Sequence, residues 1–381
     1  MLLLKNAKVI LPDRDATVSI SIAGGKIAAI GADARGDEEL DLAGCTLLPG
    51  FIDAHIHGAV DVDVMDATAA GLQSMSDFLA SQGVTSWLPT FVPGSDENYA
   101  AGVAVISEAM NSSANSSSGA RIAGVHYEGP FVNTKQCGAL HTEYFKTYSR
   151  PEDLDFLVTP EHGARMITLA PEVQGGVELI RELKNRGWVI SIGHTRADLQ
   201  LLDDACAAGA RHMTHFMNAM SPLHHRSPGP IAWGLSRDDV TFDMIADGVH
   251  LHPFMLSLLV KTKGVNGITL ISDAIAAAGK GDGDYQIWGE TITVRDGRTA
   301  NAAGSIAGSV ISMLDAVRLL HFLGVPYVDL AAMASSNPAK LLGLDDCGSI
   351  AAGKRADLVA LDDQGNVKLT VVGGRSVPNP R

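Results

Sequence analysis

The sequence predicts a closed (β/α)8 barrel with a small β-sandwich domain built from both chain ends. Three observations predict it. Across residues 49–349, strand-like apolar runs alternate with helix-period segments in some eight units, which implies a parallel sheet closed on itself. Residues 1–48 and 350–381 have no helical period and read as short strands stopped by Gly or Pro. Histidines and carboxylates also fall repeatedly at the C-terminal ends of the strand-like runs, where such a barrel carries its functional groups. An open, doubly wound sheet would call for a G-x-G-x-x-G turn after an early strand, and none is present.

The first elements are strands over Lys5 to Leu11, Val18 to Ile22 and Lys26 to Ile30, ended by Pro12, Gly24-Gly25 and Gly31. At the far end, Ala356 to Leu361 and Val367 to Val372 flank the turn Asp362 to Gly365. Pairing the two termini removes open sheet edges that would otherwise invite aggregation. The run Thr46 to Ile52 reads as a buried strand ending near His57. Helical segments over Ala69 to Ser81, Ala100 to Met110, Val173 to Asn185, Asp198 to Ala208 and Phe254 to Val260 follow. They lead into strands over Thr85 to Leu88, Ile122 to Tyr127, Trp188 to Ile192, His212 to Phe216 and Ile268 to Ser272. A further strand covers Phe242 to Ala246, and Ser312 to Phe322 is another helix. The polar run Asn111 to Gly119 reads as a low-complexity loop remote from chemistry.

Composition excludes several classes of function. The 381 residues are 46% hydrophobic and 19% charged, as in a globular protein with a large core. A net charge of −14 argues against a nucleic-acid or anionic membrane partner, so any anionic substrate needs a local cluster of donors. Four scattered cysteines without a C-x-x-C pair fit a reducing compartment. The apolar start Met1 to Leu4 is broken by Lys5 and Lys8, and no run approaches a membrane span, so a cytoplasmic protein is expected.

His55 and His57 stand two apart at a strand end, so their rings share a face and can bind a divalent metal such as zinc. Alone, the pair reads equally well as two polar residues closing a strand. Glu128, His194, His215, Asp247 with His250, and Asp273 then close five further strands, and this recurrence turns the reading toward a metal centre.

Five motifs carry a family resemblance: Pro49-Gly50-Phe51-Ile52-Asp53-Ala54-His55-Ile56-His57-Gly58, His126-Tyr127-Glu128-Gly129-Pro130-Phe131, Gly193-His194-Thr195, Thr214 to Met220, and Ala246-Asp247-Gly248-Val249-His250. Together they resemble the amidohydrolase superfamily, and within it the N-acetylglucosamine-6-phosphate deacetylases, over essentially the whole chain. The resemblance implies a metal-dependent hydrolase barrel acting on an amino-sugar phosphate. It implies Glu128, His194 and His215 as metal ligands, His55 and His57 as a second site that some members lose, Glu128 as placed to bridge the two, and Asp273 as a further metal residue. One or two ions per subunit follow, zinc first, with iron, cobalt or manganese as alternatives. Asp273 is the implied catalytic acid–base group, and His141 the group polarising the substrate carbonyl from a mobile lid. Asn218, Ala219, Arg226 and His250 are the implied phosphate contacts, with Arg226 reaching into a neighbouring subunit of a homodimer. Cys137, His224 and His225 receive no role.

Tyr127 and the run Ser272-Asp273-Ala274-Ile275 depart from the family pattern and leave the sugar open. The galactosamine epimer therefore stays as an alternative. So does another amidohydrolase, such as an N-acyl-D-amino-acid deacylase or a cyclic-imide hydrolase, although those commonly bridge their metals with a modified lysine. A catalytically dead scaffold would be expected to have lost ligands.

Overall fold

Gly50 divides one apolar run between two sheets. In the computed structural model, which describes residues 1–116 and 119–377, Thr46–Pro49 lies in an outer sheet and Phe51–Ile56 opens the barrel. A Cβ at Gly50 would sit 2.2 Å from the Thr85 side chain, so only glycine lets the chain pass that point. The run Thr46 to Ile52 is thus two strands in place of the one expected.

The barrel strands are β1 (Phe51–Ile56), β2 (Val84–Phe91), β3 (Gly124–Glu128), β4 (Ala164–Leu169), β5 (Val189–Ile192), β6 (His212–Met213), β7 (Thr241–Ile245) and β8 (Ile268–Ile271). Each pairs in parallel with the next in that order. The seam between β8 and β1 is stitched by individual bonds. Asp273 N donates to His55 O (2.9 Å), and the Asp53 carboxylate accepts from Ser272 N (3.2 Å) and Ser272 Oγ (2.6 Å). β1 and β2 are buried along their whole length, as expected for parallel strands covered on both faces.

The outer helices include α1 (Ala69–Ser81), α2 (Asp96–Ser116), α3 (Gly176–Asn185), α4 (Leu199–Ala208), α5 (Gly229–Ser236), α6 (Pro253–Lys263) and α7 (Met313–Phe322). α3 buries Leu179, Ile180 and Leu183, one apolar stripe at helical spacing. α7 starts at a capping box in which Ser312 and Asp315 satisfy each other's backbone N–H groups. At one end, Ala339 and Leu342 pack with Ile52, Leu88, Met166, Ile245 and Ile271 as an apolar plug. Above it lies a buried polar layer. His126 bonds Ala54 O (3.1 Å) and Thr168 Oγ1 (2.8 Å), and His212 Nε2 meets Asp243 Oδ1 (2.8 Å). Every one of these side chains is fully buried, so partners within the barrel must replace water.

The termini build two sheets. One has the order Arg375–Val377, Val367–Val372, Leu358–Leu361, Thr46–Pro49, Lys8–Ile10, Asp15–Thr17; the other has Lys26–Ile30, Ile20–Ala23, Leu2–Lys5, Glu38–Asp41. Leu4, Val9, Ile20, Ile22, Ile27, Leu47, Leu358 and Val371 fill the space between them.

Two further expectations are corrected, and two elements appear that none covered. Asn111–Ser116 continues α2, because alanine and the preceding amphipathic turns extend the helix through a polar stretch; 117–118 lie outside the described residues. β4 went unpredicted because 129–163 reaches it through short 3-10 turns in place of a crossover helix. The strand expected over His212 to Phe216 stops at Met213, since His215, Met217 and Ala219 adopt positive φ. An antiparallel sheet of Gly283–Ile287, Glu290–Arg295 and Arg298–Ala300 is inserted between β8 and α7.

Candidate active site

β1 delivers His55 and His57 to one spot, with Nε2 atoms 3.0 Å apart and both rings buried. Across the seam, Asp273 Oδ1 lies 3.3 Å from His55 Nε2 and 3.2 Å from His57 Nε2. β3 ends in Glu128, whose Oε1 lies 2.9 Å from His194 Nε2 and 3.0 Å from His215 Nε2. Glu128 Oε2 turns to His57 Nε2 at 3.3 Å. One carboxylate thus stands between two ligand groups, His55–His57–Asp273 and Glu128–His194–His215.

Backbone strain aims these side chains. His194 (φ 48°), His215 (φ 30°) and Asp273 (φ 52°) all leave their strands in the left-handed region, as do Met217 (φ 76°) and Ala219 (φ 49°). Each such non-glycine residue costs roughly 1–3 kcal/mol and persists only where its surroundings hold it. Those holders are visible. Glu172 accepts from Asn133 Nδ2 (2.8 Å) and Thr195 Oγ1 (2.6 Å), locking the turn after His194. Ala274 O accepts from His57 N (2.8 Å) and Gly58 N (3.0 Å), tying the turn after Asp273 to β1.

The donor set fits a divalent metal. Thr90 O faces His57 Nδ1 (3.1 Å) and Gln136 O faces His194 Nδ1 (2.7 Å). A carbonyl only accepts, so both rings present Nδ1–H to it and turn Nε2 toward the carboxylates, the atom that can ligate a cation when it carries no proton. His55 Nδ1 and His215 Nδ1 are buried without partners, so those rings are held from their Nε2 side. The charge balance agrees. Burial works against charge on Glu128, yet His55, His194, His215 and His57 hold its carboxyl well below the usual range. Burial likewise opposes a proton on His57, but Asp273 and Glu128 overcome it and push that ring up to about 10. The cluster stabilises positive charge between its carboxylates, which is what a bound cation supplies.

The pocket above the cluster is lined by His57, Glu128, His194, His215 and Asp273. Asn218, Ala219 and His250 come from the loops after β6 and β7; Gly138, Ala139, Leu140, Trp288, Ile306 and Gly308 come from those after β3 and β8. His250 Nδ1 is anchored on Asp247 Oδ2 at 2.6 Å. His55 lies behind His57, within the ligand cluster. Two of the expected residues stand apart. His141 does not line the pocket and turns its Nδ1 toward Glu143 (3.3 Å). Arg226 is exposed in the 221–227 loop, with its guanidinium on His225 Nε2 at 2.8 Å. Trp288 was missed as a pocket residue. For Trp288 the available signal was a Trp-Gly turn between Gln286 and Thr291, flanked by strand-like residues.

The profile of the Amidohydrolase family matches residues 46–377 of the chain. An N-acetylglucosamine-6-phosphate deacetylase of Bacillus subtilis is 40% identical over 339 residues, 87% of this chain and 84% of that one. An N-acetylgalactosamine-6-phosphate deacetylase of Escherichia coli O157:H7 is 36% identical over 339 residues, 88% of each chain. The crystal structure of N-acetylglucosamine-6-phosphate deacetylase from Thermotoga maritima superposes with a TM-score of 0.90 at 35% identity, covering 99% of this chain and 100% of that one.

Proposed function

The chain belongs to the amidohydrolase family, and from that premise we propose that it hydrolyses the acetamide of N-acetyl-D-glucosamine 6-phosphate to glucosamine 6-phosphate and acetate. One observation carries the reading. Glu128 and Asp273 meet four imidazole Nε2 atoms at the strand ends, under a pocket walled on one side by Asn218 and His250. Glu128, His194 and His215 would hold one metal ion, zinc by the chemistry of the donors, with His55, His57 and Asp273 for a second. When bound, such an ion supplies Lewis-acid charge that lowers the pKa of water toward about 7 and polarises the amide carbonyl.

The chain's own groups do the rest. The Asp273 carboxylate, set beside His55 and His57, accepts a proton from water as the water oxygen bonds to the acetyl carbon. As the C–N bond breaks, Asp273 returns that proton to the departing sugar nitrogen, which leaves as a neutral amine. His141 is assigned the donor to the carbonyl oxygen, a role that calls for its segment to swing toward the pocket. Asn218, the Ala219 backbone and His250 supply donors for the phosphate. The proposal extends to a cytoplasmic homodimer in which Arg226 of one copy reaches the phosphate of the other. Supporting it, Arg226 lies outside its own pocket and its planar fork suits phosphate oxygens. All four cysteines are unpaired, and no helix among the described residues is long and apolar enough to cross a membrane.

Steady-state assays of the metal-loaded protein on the N-acetylated glucosamine and galactosamine 6-phosphates, and on both sugars without phosphate, test this reading. The glucosamine phosphate should give the highest kcat/KM. Equal turnover of the unphosphorylated sugars would remove the phosphate roles of Asn218, Arg226 and His250, and a preference for the galactosamine phosphate would reassign the substrate.

A further inference from the structure

Trp288 occupies a place that its local geometry disfavours. Ile287 pairs with Glu290 across the tip of the inserted hairpin, leaving Trp288 and Gly289 as a two-residue turn with φ of 52° and 76°. Two positive φ values in such a turn ordinarily select Asn-Gly or Asp-Gly, and a bulky aromatic there is an outlier. The indole is nevertheless half-buried and lines the pocket. Its ring meets His57 edge-on, with centroids 5.3 Å apart at 85°. It also packs against two apolar clusters, one including Leu140 of the segment after β3 and the other Ile275 beside Asp273. Trp288 Nε1 is buried and faces the buried Asp63 carboxylate, which it favours in its charged form. The ring is therefore held by its apolar contacts around the pocket and by this one polar neighbour.

Resting on the deacetylase reading, we propose that Trp288 sets the length of the acyl group the enzyme removes. The attacked carbonyl must lie beside Asp273 and His57, and the sugar phosphate extends toward the donors after β6 and β7. The acyl chain then points toward the remaining apolar wall, which Trp288 and Leu140 form. A methyl group fits against that wall; a longer chain meets the indole. A strained turn that commits a large rigid ring to this position is the arrangement a size limit requires.

The test compares kcat/KM for N-acetyl-, N-propanoyl- and N-butanoyl-glucosamine 6-phosphate in the wild-type enzyme, Trp288→Phe and Trp288→Ala. The wild type should lose roughly tenfold or more per added methylene. The butanoyl-to-acetyl ratio should rise at least about tenfold in Trp288→Ala and by an intermediate factor in Trp288→Phe. A purely structural role would lower all three substrates together and leave the ratio unchanged, and that result overturns the inference. If the alanine variant does not fold, the phenylalanine variant decides, and an unchanged ratio there is equally fatal. A wild-type enzyme that turns over acetyl and butanoyl substrates equally well also overturns it. A wild type inactive on every acylated sugar phosphate refutes the proposed function, and this inference with it.

Discussion

Asp273 shows how a single residue is made functional by its backbone. Its N–H is held by His55 O, its φ of 52° turns the side chain off the strand, and its carboxylate lands within 3.3 Å of both β1 histidines. The same bond that closes the barrel seam therefore sets the distance between the proposed acid–base group and the ligand cluster. Asp273→Asn keeps the size and the backbone bond but can no longer accept a proton. We expect kcat to fall by roughly 10²–10⁴-fold while the protein still carries at least one metal ion per chain. Steady-state kinetics together with elemental analysis check this, and near-normal turnover would take Asp273 out of the mechanism. The residue types at this scale were legible because a metal centre draws His, Glu and Asp to strand ends. Trp288 was not legible, since an aromatic in a turn says nothing about what it touches until the turn is placed.

At the scale of elements, the site depends on the fit between β1 and the segment after β8. Gly58 N–H and His57 N–H both reach Ala274 O, and a Cβ at Gly58 would lie 2.5 Å from Val62 O and 2.6 Å from Ala276 N. Neither neighbour is a flexible side-chain end, so the 274–276 segment must move. Gly58→Ala should lower stability by about 1–3 kcal/mol and reduce kcat/KM through displacement of Asp273. Denaturant melts and kinetics on one preparation test both effects, and a variant with wild-type activity would show that the segment tolerates the shift. Elements with strong periodicity, such as α1, α3, α4 and α7, were readable because each buries one stripe. The inserted hairpin was not, although Tyr285, Ile287, Ile292 and Val294 alternate with more exposed residues, because its strands are short and break the strand–helix alternation between β8 and α7. β4 was hidden by the missing crossover helix before it, which removed the alternation that marked the other strands.

The whole molecule is acidic, and its exposed charges answer to pH separately from the buried centre. Hydrogen bonds from Arg237 Nε (2.9 Å) and Nη2 (3.1 Å), with Arg211 adjacent, hold Asp239 at about 2, below its ordinary 3.8. A lowered carboxylate pKa contributes stability that is present above 3.8 and is lost as pH falls through about 2. Asp239→Asn should therefore cost roughly 0.2–1 kcal/mol at pH 7, with the difference from wild type closing as the acid limit is approached. Thermal melts from pH 7 down to about 2.5 would show it, and a pH-independent difference would assign the effect to packing. At this scale the sequence by itself determined the barrel, the pairing of the two chain ends and the residue types at the metal cluster. Those follow from hydrophobic period and strand-end chemistry, which are local along the chain. Tertiary structure alone decided that His141 and Arg226 stand off the pocket and that Trp288 lines it. Each of these depends on a torsion sign or on a contact between segments far apart in sequence, such as His57 with Trp288, and neither leaves a periodic trace in the chain.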